Sequence, residues 1–173
     1  MTDIADKSPD HIDRIRAQWT RERPDLNVTP MGMLGRLSHI HSHLSAGMLR
    51  VFKAHGLNLA SFDVLATLRR AGPPYALTPS ALIDWTMVTS GTMTNRLDRL
   101  EAEGLISRQP NPEDGRGSVV GLTDKGFALI DAMMAEHVAN QQAMVDCFSE
   151  AEQTQLDGLL RRWLAHLDPE THR

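Results

Sequence analysis

The stretch from residue 77 to residue 126 constrains the fold more than any other, because it predicts two short helices followed by a hairpin. The first helix begins after Thr78, a residue that is favourable as an N-cap. Pro79 then occupies the first helical position, where its missing N–H is not needed. This helix is predicted to end at about Trp85, where the turn of a helix-turn-helix unit begins.

A second helix is predicted from a cap at Thr89 or Ser90 to a stop at Gly104. Its apolar residues recur at positions i, i+4 and i+7, which is the spacing of one buried helical face. These residues are Met93, Leu97 and Leu100.

The opposite face of the second helix carries small, amide and guanidinium groups. It presents Gly91, Asn95, Asp98 and Arg99, with Thr92 at the edge. Such groups suit a helix in the DNA major groove, because Asn can pair with adenine, Arg with guanine and Thr with a thymine methyl group. The helix N-terminus at Ser90 would also offer free N–H groups to a phosphate.

Two short strands are predicted at residues 105–109 and 118–122, joined by turn-forming Pro, Asn, Asp and Gly residues. The resulting hairpin is a wing with Arg116 near its tip, and a helix-turn-helix with a wing is a DNA-binding unit. The residues predicted to contact DNA are Ser90, Thr92, Thr94, Asn95, Arg99 and Arg116.

Four motifs occur together here, namely residues 90–101, residues 104–106, Asp114-Gly-Arg116 and Leu122-Thr-Asp-Lys-Gly126. Taken together they resemble the MarR family of winged-helix regulators, and the similarity extends over roughly residues 31–167. The resemblance implies a homodimer that binds palindromic DNA and is released by a small ligand. It also implies a wing of the form Asp-x-Arg, which Asp114 and Arg116 match.

The charge of the chain does not by itself favour DNA binding. The formal net charge is −4, and the segment between residues 85 and 120 contains four Arg and five acidic residues. Phosphate neutralisation dominates affinity for DNA, so this balance is unfavourable. Asp98 would repel phosphates unless it pairs with a neighbour or a cytosine amino group. The prediction of DNA binding therefore depends on motif and geometry.

Composition indicates a soluble cytoplasmic protein. The 173 residues favour one domain, and the core must be aliphatic and methionine-rich because aromatic residues make up only 5%. No apolar run reaches the roughly 18 residues of a membrane span, so no membrane partner is expected. No signal peptide is visible, and the single cysteine, Cys147, excludes an internal disulfide framework.

The rest of the chain is predicted to be helical, which gives a mainly α fold with a small β-hairpin wing. Two regions, residues 31–55 and 124–167, carry more apolar surface than one winged helix can cover, so they are predicted to be dimerisation helices. The other predicted segments are a disordered N-terminus at 1–9, an extra helix at 10–22 capped by Asp10, the winged-helix domain at 58–123 with Ser61 as its first cap, and a polar tail at 168–173. Thr123 is predicted to begin a helix that extends to about Cys147, and Ser149 to cap the last helix. Gly32, Gly35 and Gly47 are expected to weaken the helix at 31–55.

No catalytic, metal or cofactor site is predicted. The chain lacks a phosphate-binding loop, a nucleophile elbow and a metalloprotease motif, so we do not expect an enzyme. His39 and His43 have a spacing that could hold a metal, but solvated or interface histidines, with His41 between them, are favoured. Cys147 could sense oxidation, although a packed thiol is favoured because no basic neighbour lowers its pKa.

Arg96 is the unusual position on the second helix, because it lies on the flank of the buried face, where a guanidinium needs an anionic partner or a ligand. The short N-terminal helix containing Trp19 resembles the extra first helix of the urate-responsive, PecS-like branch of the MarR family. That resemblance implies that Trp19, Asp63, Arg96 and Arg108 bind an effector and relay its presence. The alternative is structural: Trp19 docks its helix, Asp63 favours a helix N-terminus, and the two arginines form ion pairs.

The sequence thus predicts a homodimeric repressor that binds double-stranded DNA and is released by a small anionic aromatic or purine-like effector such as urate. The alternative is a winged-helix module that binds proteins and not DNA. The acidic charge favours that alternative, whereas Asn95, Arg99 and Arg116 oppose it.

Overall fold

A computed structural model describes residues 8–86, 93–111 and 117–168. The described residues form seven α-helices and three β-strands in the order α1 (His11–Glu22), α2 (Thr29–Ala54), α3 (Leu59–Arg70), β1 (Ala76–Leu77), α4 (Pro79–Trp85), α5 (Met93–Ala102), β2 (Ile106–Pro110), β3 (Ser118–Leu122), α6 (Asp124–Val145) and α7 (Glu150–Leu167). This arrangement confirms the predicted fold class. No helix among the described residues is long and apolar enough to cross a membrane.

Local side chains determine where most helices begin. The predicted N-caps each accept a hydrogen bond from a backbone N–H inside the following helix; they are Asp10, Thr78, Thr123 and Ser149. Glu152 completes a capping box with Ser149, which lowers the pKa of the Glu152 carboxyl group. These helix starts follow from residues within a few positions of one another, and the sequence therefore predicted them correctly.

The prediction that Ser61 caps α3 is wrong. The N-cap is Asn58, whose side-chain oxygen accepts a hydrogen bond from the Ser61 N–H at 2.8 Å. Asparagine and serine are comparable caps, so the sequence did not distinguish the two positions. Because α3 starts at Leu59, Asp63 lies in its second turn and not in its first, so it cannot act as a first-turn acid at the helix N-terminus.

The small sheet has three antiparallel strands in the order β1-β3-β2. The hairpin of β2 and β3 pairs Ile106 with Leu122 at its base and Pro110 with Ser118 towards its tip, as expected for a wing. Strand β1 was not predicted, because a two-residue strand is too short to show an alternating pattern.

The chain divides into two compact units, one that ends at Gly47 and one that begins at Met48. In the first unit, Arg36 of α2 holds the start of α1. Its guanidinium lies 2.7 Å from the Asp10 carboxylate and 2.6 Å from that of Asp13. The hydrogen bond from Arg36 and the backbone hydrogen bond at Asp13 lower the pKa of Asp10 to about 2.

Two glycines of α2, expected from propensity only to weaken the helix, lie where α1 approaches closely. A Cβ atom on Gly32 would lie 2.4 Å from Cδ of Arg16. A Cβ atom on Gly35 would lie 3.2 Å from Cδ1 of Ile12. The small residues therefore give α1 its packing surface on α2.

The second unit is built on α3, which packs against α4, α5, α6 and β3. Its largest fully buried side chains come from these elements, from β2 and from the end of α2; among them are Phe52, Leu65, Leu68, Leu82, Leu100, Ile106, Ile130 and Met133. Since both α4 and α5 rest on α3, the position of α3 determines the position of the helix-turn-helix unit.

Apolar side chains on α2 and α7 stay exposed in the single chain. None of the residues of α7, which is described in full, is buried. The exposed apolar residues of the two helices include Met33, Leu34, Leu37 and Ile40 on α2 and Leu156, Leu159, Leu160, Leu164 and Leu167 on α7. These are the apolar stripes from which dimerisation was predicted.

The prediction of a packed thiol at Cys147 is wrong, because this side chain is exposed. Helix α6 was expected to extend to about residue 147, but it ends at Val145. The helical face that would have buried the cysteine therefore stops before reaching it.

Candidate nucleic-acid interface and effector residues

Helix α5 separates a buried face from an exposed polar face, as its sequence predicts. Met93, Leu97 and Leu100 are buried in the core of the second unit. On the other side Thr94, Asn95, Asp98 and Arg99 are exposed. Three of the predicted DNA-contacting residues, Thr94, Asn95 and Arg99, therefore lie on one accessible helix surface.

The other predicted DNA contacts lie outside the described residues. These are Ser90 and Thr92, before the start of α5, and Arg116, which the sequence places near the tip of the wing together with Asp114. Both strands of the wing are described, and at their far end the Asn111 N–H donates to the Gly117 carbonyl at 2.8 Å.

The acidic residue on the exposed face of α5 has a basic partner. Nη2 of Arg108, on β2, lies 2.6 Å from Oδ1 of Asp98, and Nη1 lies 2.7 Å from Oε2 of Glu101. The Arg108 backbone N–H also donates to Glu101, at 3.1 Å. The hydrogen bond that Arg108 donates to Asp98, together with the nearby Glu101 charge, raises the pKa of Arg108. The predicted repulsion between Asp98 and phosphates is thus reduced by an ion pair.

Arg99 makes a weaker contact that leaves it accessible. Its guanidinium lies 2.9 Å from the Glu103 carboxylate one helical turn away, and the Arg99 side chain is 61% exposed. Ion pairs of this kind on a helix surface contribute only about 0.3–0.5 kcal/mol. Arg99 can therefore exchange Glu103 for a DNA group at small energetic cost.

The C-terminal end of α5 is fastened to the start of α6. The Thr123 hydroxyl donates to the Gly104 carbonyl at 2.7 Å, and Lys125 Nζ donates to the Glu103 carbonyl at 2.8 Å. A Cβ atom on Gly126 would lie 1.9 Å from the Leu105 carbonyl oxygen, so only glycine fits there. This gives a physical reason for the Thr-Asp-Lys-Gly motif: it binds the end of α5 to the start of α6.

The predicted effector residues divide between the two units. Trp19 belongs to the first unit and is 44% exposed, while Asp63, Arg96 and Arg108 belong to the second. Arg108 forms ion pairs with Asp98 and Glu101, as expected if its role is structural. For Arg96, the buried Nη1 atom has no hydrogen-bond partner among the described residues. A buried guanidinium nitrogen without a partner is unfavourable, and an incoming anion would satisfy it.

Asp63 borders a cleft of about 420 Å³ between α3 and α6. The same cleft is lined by His137, a residue that the sequence analysis did not identify. His137 is 7% exposed, its ring stacks on Phe52 and lies tilted against Phe62, and its Nδ1 atom has no hydrogen-bond partner in the described part of the chain. Burial lowers the pKa of the imidazole and favours its neutral form. The helical spacing of Ile130, Met133 and His137 could have indicated this buried face.

The histidines of α2 do not form a cluster with other ligands. His39, His41 and His43 are all exposed. In the described residues, no group of three or more His, Cys, Asp and Glu side chains is placed to hold a metal ion.

Two helices joined in a helix-turn-helix order, an exposed polar face on the second and a paired hairpin after it define a winged-helix DNA-binding regulator. Residues 55–117 match the MarR family. The chain is 44% identical to the HTH-type transcriptional regulator PecS of Dickeya dadantii, over 90% of this chain and 94% of PecS. The chain belongs to the MarR family of transcriptional regulators, whose members act by binding DNA and are not enzymes.

Solved structures agree with this assignment. A mutant of MarR from Escherichia coli in complex with operator DNA superposes with a TM-score of 0.66 at 29% identity, over 79% of this chain and 97% of that one. The BpsR protein of Bordetella bronchiseptica, whose DNA binding is regulated by 6-hydroxynicotinic acid, superposes with a TM-score of 0.65 at 26% identity, over 75% of this chain and 90% of that one. The alternative of a module that binds proteins and not DNA is therefore wrong for this family.

Proposed function

We propose that the protein is a homodimeric repressor that binds a palindromic operator and is released by a small anionic aromatic or purine-like effector. The observation that carries this proposal is Arg96. Its buried, unpartnered nitrogen lies on the same helix as the exposed Asn95 and Arg99, so an anion bound by Arg96 would act directly on the DNA-facing helix. Effector binding and DNA binding would then be coupled through one rigid element.

The dimer is proposed to form through the helices at residues 31–55 and 124–167. The exposed apolar residues of α2 and α7 support this, since such surfaces are normally covered by a partner. A two-fold axis would place the two copies of α5 about 34 Å apart, one turn of DNA. Light scattering at micromolar concentration should show a dimer. Leu164→Glu should weaken it, whereas the nearby polar replacement Gln155→Glu should not.

The winged-helix domain is proposed to extend over residues 58–123, with Ser90, Thr92, Thr94, Asn95, Arg99 and Arg116 facing DNA. A gel-shift with DNA flanking the protein's own gene tests this directly. Asn95→Ala or Arg99→Ala should lose about 1–3 kcal/mol for the preferred site if each contacts a base. Arg116→Ala should weaken binding to all sequences and reduce the salt dependence, because a wing arginine contacts phosphates or the minor groove. An unchanged salt slope in Arg116→Ala would show that the wing does not contact DNA.

We propose that four residues bind the effector and relay its presence: Trp19, Asp63, Arg96 and Arg108. Trp19 supplies an accessible aromatic ring, and Arg96 supplies the counter-charge for an anion. Asp63 supplies a carboxylate whose charged form an incoming anion would disfavour. Arg108 at the base of the wing would carry the change to the hairpin. The regulation of BpsR by 6-hydroxynicotinic acid supports an effector of this size and charge.

Calorimetric titration with urate, xanthine, salicylate and 6-hydroxynicotinic acid tests the effector proposal, with and without operator DNA. At least one should bind and lower operator affinity. Arg96→Ala and Trp19→Ala should weaken that response, while Arg50→Gln, which removes an exposed charge of α2, should respond as the wild type does. If the Arg96 and Trp19 variants respond normally, these residues do not form the effector site.

A further inference from the structure

The last residue of α3 holds the last residue of α4. Nη2 of Arg70 donates a hydrogen bond to the main-chain carbonyl of Trp85. The final carbonyl groups of a helix have no partner inside the helix, and a cation is favourable at that end. Immediately afterwards Thr86 leaves the helix with extended backbone angles, φ −92° and ψ 152°. Arg70 therefore binds the chain at the point where it departs towards the recognition helix α5.

Helix α4 depends on such a contact because it has only seven residues. Helices this short have little stability of their own and are positioned by tertiary contacts. Its N-terminus is capped by Thr78, and Leu82 anchors its middle in the core. Its C-terminal end is the part that Arg70 secures.

The other end of the helix-turn-helix unit is secured by different residues. Thr123 and Lys125 bind the carbonyl groups of Gly104 and Glu103 at the end of α5. The neighbouring Arg69 contacts α6, where its guanidinium lies 2.7 Å from Asp131 and over the rings of Tyr75 and Phe127. The two adjacent arginines at the end of α3 thus hold different elements, Arg69 holding α6 and Arg70 holding α4.

We propose that Arg70 is a positioning residue for sequence-specific DNA binding: by holding the Trp85 carbonyl it sets where the chain enters α5, and it thereby places Asn95 and Arg99 for base contact. This inference rests on the proposed role of those two residues in contacting bases. Base contacts require placement within fractions of an ångström, whereas phosphate contacts by exposed cations tolerate small shifts. Loss of the Arg70 contact will therefore reduce affinity for the operator much more than affinity for unrelated DNA.

The competing role for Arg70 is direct phosphate contact, since its side chain is exposed and positively charged. Salt dependence separates the two roles. A residue that neutralises a phosphate contributes about one unit to the slope of log affinity against log salt, whereas a residue that only positions α4 contributes none.

The experiment compares Arg70→Gln, Arg70→Lys and the charge-matched control Arg14→Gln, which changes an exposed arginine outside the proposed dimerisation helices. Affinities for the operator and for a scrambled duplex are measured by fluorescence anisotropy over a series of salt concentrations. We expect Arg70→Gln to lose about ten-fold in operator affinity, as for the loss of one charged hydrogen bond, with less than about two-fold change on scrambled DNA and an unchanged salt slope. Arg70→Lys keeps a cation and a donor and should retain most of the preference. Hydrogen exchange of α4 and of the Thr86 amide should become faster in Arg70→Gln only.

Three results would overturn the proposal. Equal losses on both duplexes with a slope reduced by about one would show that Arg70 contacts a phosphate. Unchanged operator affinity in Arg70→Gln would show that the Trp85 contact is not used. A wild-type protein that binds the operator no better than scrambled DNA would overturn the assigned base contacts as well, which distinguishes that failure from a failure of Arg70 alone.

Discussion

Arg108 on β2 and Asp98 on the exposed face of α5 form an ion pair with 2.6 Å between Nη2 and Oδ1. This pair joins the base of the wing to the recognition helix. It also compensates the one carboxylate that the sequence places among the DNA-facing groups of α5. An acidic protein can bind DNA when its negative charges near the interface are paired in this way, because the local field and not the net charge acts on the phosphates.

The ion pair leads to a prediction about DNA affinity. Arg108→Gln should weaken binding to all duplexes at low salt, because the charge of Asp98 is then uncompensated. Asp98→Asn should strengthen it, and the two changes together should nearly cancel. The coupling energy for stability should be only about 0.5–1 kcal/mol, since the Asp98 side chain is 56% exposed. Anisotropy titrations of the wild type, the two single variants and the double variant measure this double-mutant cycle. A double variant that binds nearly as weakly as Arg108→Gln alone would mean that Arg108 contacts DNA itself.

The close approach of Gly126 to Leu105 predicts a sensitive position. Gly126→Ala should lower the free energy of unfolding by about 1–3 kcal/mol, because the new Cβ atom overlaps a backbone carbonyl and the start of α6 must move. Gly158→Ala is the matched control, since a Cβ atom there meets nothing within 4 Å, and it should be neutral or slightly stabilising. Urea denaturation compares the two. Equal stabilities would show that the junction between β2 and α6 adapts without strain.

The contacts of Arg36 predict how α1 is held on α2. Arg36→Gln removes both ion pairs to the start of α1, so amide hydrogen exchange in α1 should become faster than in the control Arg14→Gln, which changes an exposed residue of α1 itself. Because the pKa of Asp10 is lowered to about 2, its contribution is present above its ordinary value near 3.8 and is lost as the pH falls towards 2. Unchanged exchange would assign the docking of α1 to Ile12 and the glycines of α2.

The buried His137 predicts a pH dependence of stability. Its pKa is lowered in the folded protein by burial, whereas in the unfolded chain it is near the ordinary value of 6.5. Between these two values the unfolded state binds more protons, so the free energy of unfolding decreases as the pH falls below about 6.5. His137→Gln should reduce this dependence, whereas replacement of the exposed His166 by Gln should not. Urea denaturation at several pH values between about 5 and 8 provides the measurement. A dependence that persists in His137→Gln would trace to other groups.

The sequence by itself determined the features that depend on residues close together along the chain. The caps at Thr78, Thr123 and Ser149, the buried stripe of α5 and the hairpin of the wing follow from short-range hydrogen bonding and helical periodicity. The helical periodicity of α5 also placed Asn95 and Arg99 on the exposed face and Arg96 on the flank of the buried face, because the rotation per residue is the same in every α-helix. The family resemblance rested on these same local motifs.

Only the tertiary structure decided which distant groups meet. The pairing of Arg108 with Asp98, the hold of Arg70 on Trp85, the contact of Gly126 with Leu105 and the burial of His137 all join elements separated in the chain. Such contacts are set by how helices and strands pack around a common core, and periodicity within one element carries no information about its partner. The sequence indicated that Arg96 needs a partner, and packing left one of its buried nitrogens without any among the described residues. Packing also gave Arg108 its partners, Asp98 and Glu101.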